Sequence, residues 1–128
     1  MSKNVAPEHQ EFFDKFKSFW DAPSGERIPE LISPEATITF TGAGTFSGTD
    51  YINVMGEMLA SMDSITVTPL DFAGNGDRVY IAWETTAVIN GAQITYMGVD
   101  RFRIKDGMAI EEQVIFDSAA LQPAADAQ

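Results

Sequence analysis

Cysteine is absent and histidine occurs once, at His9, in a chain of 128 residues. Without cysteine there is no disulfide framework, thiol nucleophile or thiolate metal site, and one imidazole does not make a metal site either. Basic residues are scarce as well: 8 Lys and Arg stand against 19 Asp and Glu, a net charge of −11. Phosphate recognition needs a basic face, so a nucleic-acid partner is excluded and an anionic membrane surface is disfavoured. No apolar run approaches the roughly 18 residues of a transmembrane span. The segment Met1-Ser2-Lys3-Asn4-Val5-Ala6-Pro7 lacks the apolar core of a secretory leader, so the expected location is the cytoplasm. What is present fits a folded domain: 45% hydrophobic and 11% aromatic residues, in a length suited to one core. The expected organisation is a single domain over 1–128, with its core at about 8–121 and a frayed tail over 122–128.

Helices come first and strands later. Phe12, Phe13, Phe16, Phe19 and Trp20 form a wide apolar stripe that predicts a helix over 8–21, stopped by Pro23 and Gly25. Arg27 to Ile32 reads as a short second helix, 36–41 as a strand, and Gly42, Gly44 and Gly48 as an irregular connection. Those glycines are not a phosphate loop, because no lysine follows them. Tyr51, Ile52, Met55, Met58, Leu59 and Met62 predict a third helix from Thr49 or Asp50 to about Met62. Period-two stretches then predict strands at 65–74, 78–89, 93–104 and 109–117, with hairpin signals at Gly74-Asn75-Gly76-Asp77, Asn90-Gly91 and Asp106-Gly107. The order predicts an α+β domain, a cone-shaped α+β barrel in which three helices of the N-terminal half pack on a strongly curved antiparallel sheet. Such a cone encloses a cavity suited to a small molecule.

The run Gly98-Val99-Asp100-Arg101-Phe102-Arg103-Ile104-Lys105-Asp106-Gly107, followed by Ile110-Glu111-Glu112 and Phe116-Asp117, resembles the C-terminal hairpin of the nuclear transport factor 2-like superfamily. Glu35-Ala36-Thr37-Ile38 and Phe46-Ser47-Gly48 support the resemblance, which covers about 8–121 and points to the ketosteroid-isomerase and SnoaL-like polyketide-cyclase branch. The resemblance implies a cofactor-independent isomerase or cyclase of steroid-, terpenoid- or polyketide-like carbonyl compounds, and a homodimer through the convex sheet face. Asp100 matches the isomerase's oxyanion-hole aspartic acid. The positions of its catalytic base and oxyanion-hole tyrosine read Phe40 and Phe16, which carry no proton-transferring group. The acid that cyclases often carry on the last strand aligns with Val114. The Asp-Arg-Asp set of limonene-epoxide-hydrolase relatives is missing around Trp83 to Thr85 and at Val114.

Strand parity sorts the remaining side chains. Ile94, Tyr96, Gly98, Asp100, Phe102 and Ile104 share one face of their strand, with Val79, Ile81, Trp83, Thr85 and Ala87 inward on the preceding one. Ile110, Val114 and Phe116 place Glu112 inward on the last. If Lys105-Asp106-Gly107 forms a type I turn with a glycine bulge, Ile104 opposes Met108, Asp100 opposes Glu112, and the two β-carbons stand ~5 Å apart. Two carboxyls so close in an apolar cavity share a proton and offer a donor–acceptor unit for a carbonyl or enol. Asp100 and Glu112 are therefore the candidate catalytic residues, with Asp100 donating to an enolate oxygen and Glu112 transferring protons. The competing reading makes Asp100 a structural partner of a backbone group, Trp83 or Tyr96, and puts Glu112 at a wet rim.

The candidate ligand wall is Phe16, Trp20, Phe40, Tyr51, Met55, Trp83, Thr85, Tyr96, Phe102, Val114 and Phe116, with Met58 and Met62 near the mouth. The same aromatic and methionine stripe also reads as plain core. Arg101 faces out opposite Glu111 as a surface ion pair, and Tyr80, Ala82, Val88, Val99 and Ile115 make the outer face apolar enough for a dimer. No metal or cofactor is expected. Three functional classes remain open: an enzyme, a non-catalytic binder of a hydrophobic molecule, and a dimeric interaction module whose own side chains fill its cavity.

Overall fold

A computed structural model describes residues 5–121; segments 1–4 and 122–128 lie outside the described residues, and with them the expected frayed tail. Helix α1 spans Pro7–Asp21 and is followed by a 3-10 helix at Gly25–Glu30, strands β1 (Ile32–Phe40) and β2 (Gly44–Ser47), and helix α2 (Gly48–Ala60). Strands β3 (Ser64–Asn75), β4 (Arg78–Ile89), β5 (Ala92–Lys105) and β6 (Met108–Phe116) complete the sheet before a last 3-10 turn at Ser118–Leu121. Among the described residues no helix is long and apolar enough to cross a membrane.

Local chemistry explains the helix boundaries. Pro7 opens α1, where a missing N–H is harmless, and Phe12, Phe13, Phe16 and Phe19 bury the stripe. Ser47 caps α2 by accepting from the Asp50 N–H at 3.0 Å. The segment expected as a second α-helix is a 3-10 helix carrying Pro29, which removes a backbone donor. The glycine-rich connection contains a strand the sequence did not announce, because four residues are too few to show a period. β2 pairs antiparallel with the end of β1.

The sheet order is β2-β1-β6-β5-β4-β3, with three helices on a six-stranded sheet. The α+β class holds, but the sheet is mixed and open: β1 runs parallel to β6, and β2 and β3 remain as edges. Periodicity finds strands without giving their direction. The chain returns from β5 to lay β6 beside β1, and that parallel pair joins the two halves.

His9 is buried, with its Nε2–H donating to the Gly76 carbonyl at 2.7 Å, and it ties α1 to the β3–β4 turn.

The β5–β6 hairpin corrects the expected register. Asp106 and Gly107 both have positive φ, the signature of a two-residue type I′ turn, so Lys105 rather than Ile104 opposes Met108. That turn alone would put Glu112 on the outer face. A bulge between the Ile104–Ala109 and Arg103–Glu111 pairs leaves Ile110 over and restores the parity. Ala109 rather than Ile110 is therefore buried inward, together with Glu112, Val114 and Phe116. Arg101 faces Gln113 instead of Glu111, and Arg103 pairs with Asp77 at 3.0 Å.

On the outer face Ala82, Val99 and Ile115 form one row across three strands. Leu70, Tyr80, Met97 and Ile115 are exposed large apolar residues there or at its edge.

Candidate functional site

Between the helices and the inner sheet face lies a cavity with Asp100 and Glu112 in its wall. Of the wall residues named from the sequence, Phe16, Trp20, Phe40, Tyr51, Met55, Trp83, Thr85, Tyr96, Val114 and Phe116 all line it. Phe102 does not. It is fully buried, packed edge-on against Phe12 and Phe16 at centroid distances of 4.7 and 5.9 Å, and belongs to the core beneath α1. Parity assigns a face but not a depth, and the end of β5 at Phe102 is covered by α1. Met58 and Met62 also line the cavity.

Sequence reasoning missed Phe19, Ile28, Leu31, Ile32, Ile65 and Val67 on the wall. The apolar spacing of Ile28, Leu31 and Ile32 carried a signal for the first group. The alternation of Ile65 and Val67 on β3 carried one for the second.

The two carboxyls meet, but not as direct neighbours. Asp100 stands opposite Val114, and Glu112 stands opposite Phe102, two residues further along the pair. The residue facing Asp100 across the strands is thus the one aligned with the cyclase acid, and here it is valine. Glu112 reaches Asp100 diagonally, within hydrogen-bonding range. Each residue is 5% exposed, so neither carboxyl is at a wet rim.

The indole of Trp83 distinguishes the two acids. Trp83 Nε1–H donates to Asp100 Oδ1 at 3.0 Å in a buried contact. Burial pushes Asp100 up to about 6 from the ordinary 3.8, while the hydrogen bonds from Glu112 and Trp83 hold it down. Glu112 is pushed well above the usual carboxylate range by burial, by the charge of Asp100 and by the hydrogen bond it gives to Asp100. Burial raises both acids, and the indole N–H, which reaches Asp100, favours the ionised form of Asp100 over that of Glu112.

Burial and the charges of Glu112 and Asp100 also push the Tyr51 hydroxyl well above 10, so it stays a neutral donor beside them. Burial raises Tyr96 in the same direction. No lysine, arginine or histidine is among the lining residues. Among the described residues no group of three His, Cys, Asp or Glu side chains could hold a metal ion.

The rings are packed closely: Phe40, Phe116, Tyr96 and Trp83 follow one another at centroid distances of 5.7, 5.2 and 5.8 Å. The free space left at the centre is about 50 Å³. Drug-sized ligand pockets are ~300–1,000 Å³, so a larger guest requires side chains to move. Met55, Met58 and Met62, unbranched and flexible, are the side chains on α2 and just beyond it best able to do so.

Comparison with known proteins agrees with this architecture. A nuclear transport factor 2-like protein of unknown function from Burkholderia pseudomallei superposes with a TM-score of 0.82 at 16% identity, over 93% of this chain and 98% of that one. A candidate SnoaL-like polyketide cyclase from Jannaschia sp. gives 0.80 at 16% identity, over 95% and 97%. A hypothetical protein with a ketosteroid isomerase-like fold from Catenulispora acidiphila, in complex with trimethylamine, gives 0.80 at 16% identity, over 94% and 95%. Such identities establish the fold and not the reaction. No curated protein matches the chain. With the SnoaL-like domain family matching residues 10–112, the chain belongs to that family.

Proposed function

We propose that the chain is a cofactor-independent acid–base catalyst that isomerises or cyclises a small, largely apolar carbonyl compound of steroid, terpenoid or polyketide type. One observation carries this reading: a buried carboxyl pair in the wall of an otherwise aromatic and aliphatic cavity. Asp100 takes a proton from the carbon next to the carbonyl. Glu112 swings its own proton from Asp100 to the carbonyl oxygen, with Tyr51 as a second neutral donor. The enol so formed has a base and an acid beside it, and returning the proton at another carbon completes an isomerisation.

The test is solvent exchange. A panel of apolar ketones is incubated with the protein in D2O, and loss of the α-proton signal is followed by NMR. Catalysed exchange with some members is expected, falling by roughly 10²–10³ in Asp100→Asn, as for loss of one essential group in such a site. An exchange rate that survives Asp100→Asn unchanged would exclude Asp100 as the base.

A second reading, an interaction module whose cavity is filled by its own side chains, is favoured by the 50 Å³ of free space. It differs in the same experiment, where neither exchange nor stabilisation by any ketone would be seen. A third, non-catalytic binding of a hydrophobic molecule, is favoured by Phe16 and Phe40 at two positions that are catalytic in the isomerase. It gives stabilisation without exchange.

The proposed partner is a second copy docked on the outer sheet face. The Ala82–Val99–Ile115 row and exposed Met97 support it. Light scattering is expected to give twice the 14.0 kDa chain mass, and Ile115→Lys to give the single mass. A wild-type protein that runs at the single mass would remove this partner.

A further inference from the structure

Gly98 sits in the middle of β5, directly paired with Trp83 on β4 and Phe116 on β6. Glycine weakens the interior of a strand, so its presence there marks a conformational need or a close approach. The backbone supplies no conformational need, because Gly98 is not among the residues with positive φ. The close approach is present. A β-carbon at 98 would lie 2.5 Å from both Cζ2 and Cη2 of Trp83, and 2.6 Å from the Ile115 carbonyl oxygen.

The register explains why the indole lies there. Asp100 is paired directly with Ile81, so it is only the diagonal neighbour of Trp83. To bring Nε1 to Asp100 the indole has to cross β5, and the benzo edge next to Nε1 passes over position 98. Any side chain there would occupy the space of the ring.

We propose that Gly98 is a positioning residue for the acid–base pair: its missing side chain lets the Trp83 indole lie across β5 and hold the Asp100 carboxylate. Its role is indirect, since it offers no group to a substrate. It deepens the acid–base reading and rests on it for its catalytic consequence, while the geometric claim concerns Trp83 and Asp100 alone.

The test is a double-mutant cycle of Gly98→Ala and Trp83→Phe, read by carboxyl ¹³C titration of Asp100 without substrate. The titratable groups facing Asp100 are Glu112 from β6, Tyr51 from α2 and Tyr96 from its own strand, and all three are unchanged throughout the cycle. Trp83→Phe removes the N–H donor, so the Asp100 midpoint is expected to rise by about one pH unit. Gly98→Ala is expected to raise it similarly, by displacing the ring. The double variant is expected to match Trp83→Phe alone.

An additive double variant would overturn the proposal, since the effect of the added methyl group would then run through the Ile115 carbonyl. So would a Gly98→Ala protein that folds and titrates like the wild type. If Gly98→Ala does not fold, Gly98→Ala in the Trp83→Phe background remains readable. Recovery of folding there supports the steric assignment to the indole, and failure to recover overturns it. Because no turnover enters the titration, failure here is separate from failure to find a reacting ketone.

Discussion

Asp100→Asn is expected to stabilise the folded protein at pH 8 while removing proton transfer. The two carboxyls are buried together without a cationic partner among the residues around the cavity. Asp100 titrates near 6 when folded and near 3.8 when free, so between these values the folded state binds more protons than the unfolded one. Stability from this group is fully present below about pH 4 and is lost as pH rises through 6. Six minus 3.8 is 2.2, which at about 1.4 kcal/mol per pH unit sets an upper bound of roughly 3 kcal/mol.

Asparagine keeps the shape, accepts from Trp83 through its oxygen and donates its amide to Glu112, but it never ionises. Thermal melts of wild type and Asp100→Asn should therefore coincide near pH 4 and separate above pH 6, with the variant melting higher. Glu112→Gln should show a smaller gain at pH 7, because burial and the charge of Asp100 raise Glu112 and favour its neutral form. A gain at pH 7 in Glu112→Gln, with none in Asp100→Asn, would show that the proton sits on the other acid. A stability gain coupled to a loss of exchange is what a site under functional rather than structural constraint gives.

The largest loss of stability is expected from Phe102→Ala. Phe102 has no exposed surface and is wedged against Phe12 and Phe16, so its removal strips burial and leaves a void that α1 cannot close. Such truncations cost about 3–5 kcal/mol, or roughly 10–20 °C in melting temperature at this size. Phe40→Ala is the control. Phe40 is only half-buried and faces space that is already open, so its loss should cost clearly less and enlarge the cavity. Equal losses in the two variants would mean that the cavity wall and the core are one continuous packing unit. The division between Phe102 as core and the other ten wall residues as lining would then fall.

The family and the α+β class were legible because they rest on local information. The phenylalanine stripe of α1, the period-two strands and the residues Val99-Asp100-Arg101-Phe102 need no knowledge of what they touch. Most of the cavity wall followed from the same parity, since alternate residues of a strand share a face whatever its neighbours. Parity failed at Phe102, where the helix covering that end of β5 decides between core and cavity. It failed differently at β6, where Asp106-Gly107 announced a turn but not the bulge beyond it.

By itself the sequence placed two carboxyls in an apolar interior with neither thiol nor basic side chain predicted beside them. Only the tertiary structure decided how they meet and which one the Trp83 N–H reaches. Their meeting depends on one leftover residue, Ile110, because the two-residue turn would otherwise send Glu112 outward. They are distinguished by an N–H from another strand: Trp83 is 17 residues from Asp100 in the chain, and its indole lies where a side chain at position 98 would stand. Hydrogen-bond direction and low-dielectric surroundings exist only once the strands are side by side, and they are what makes two similar acids unlike.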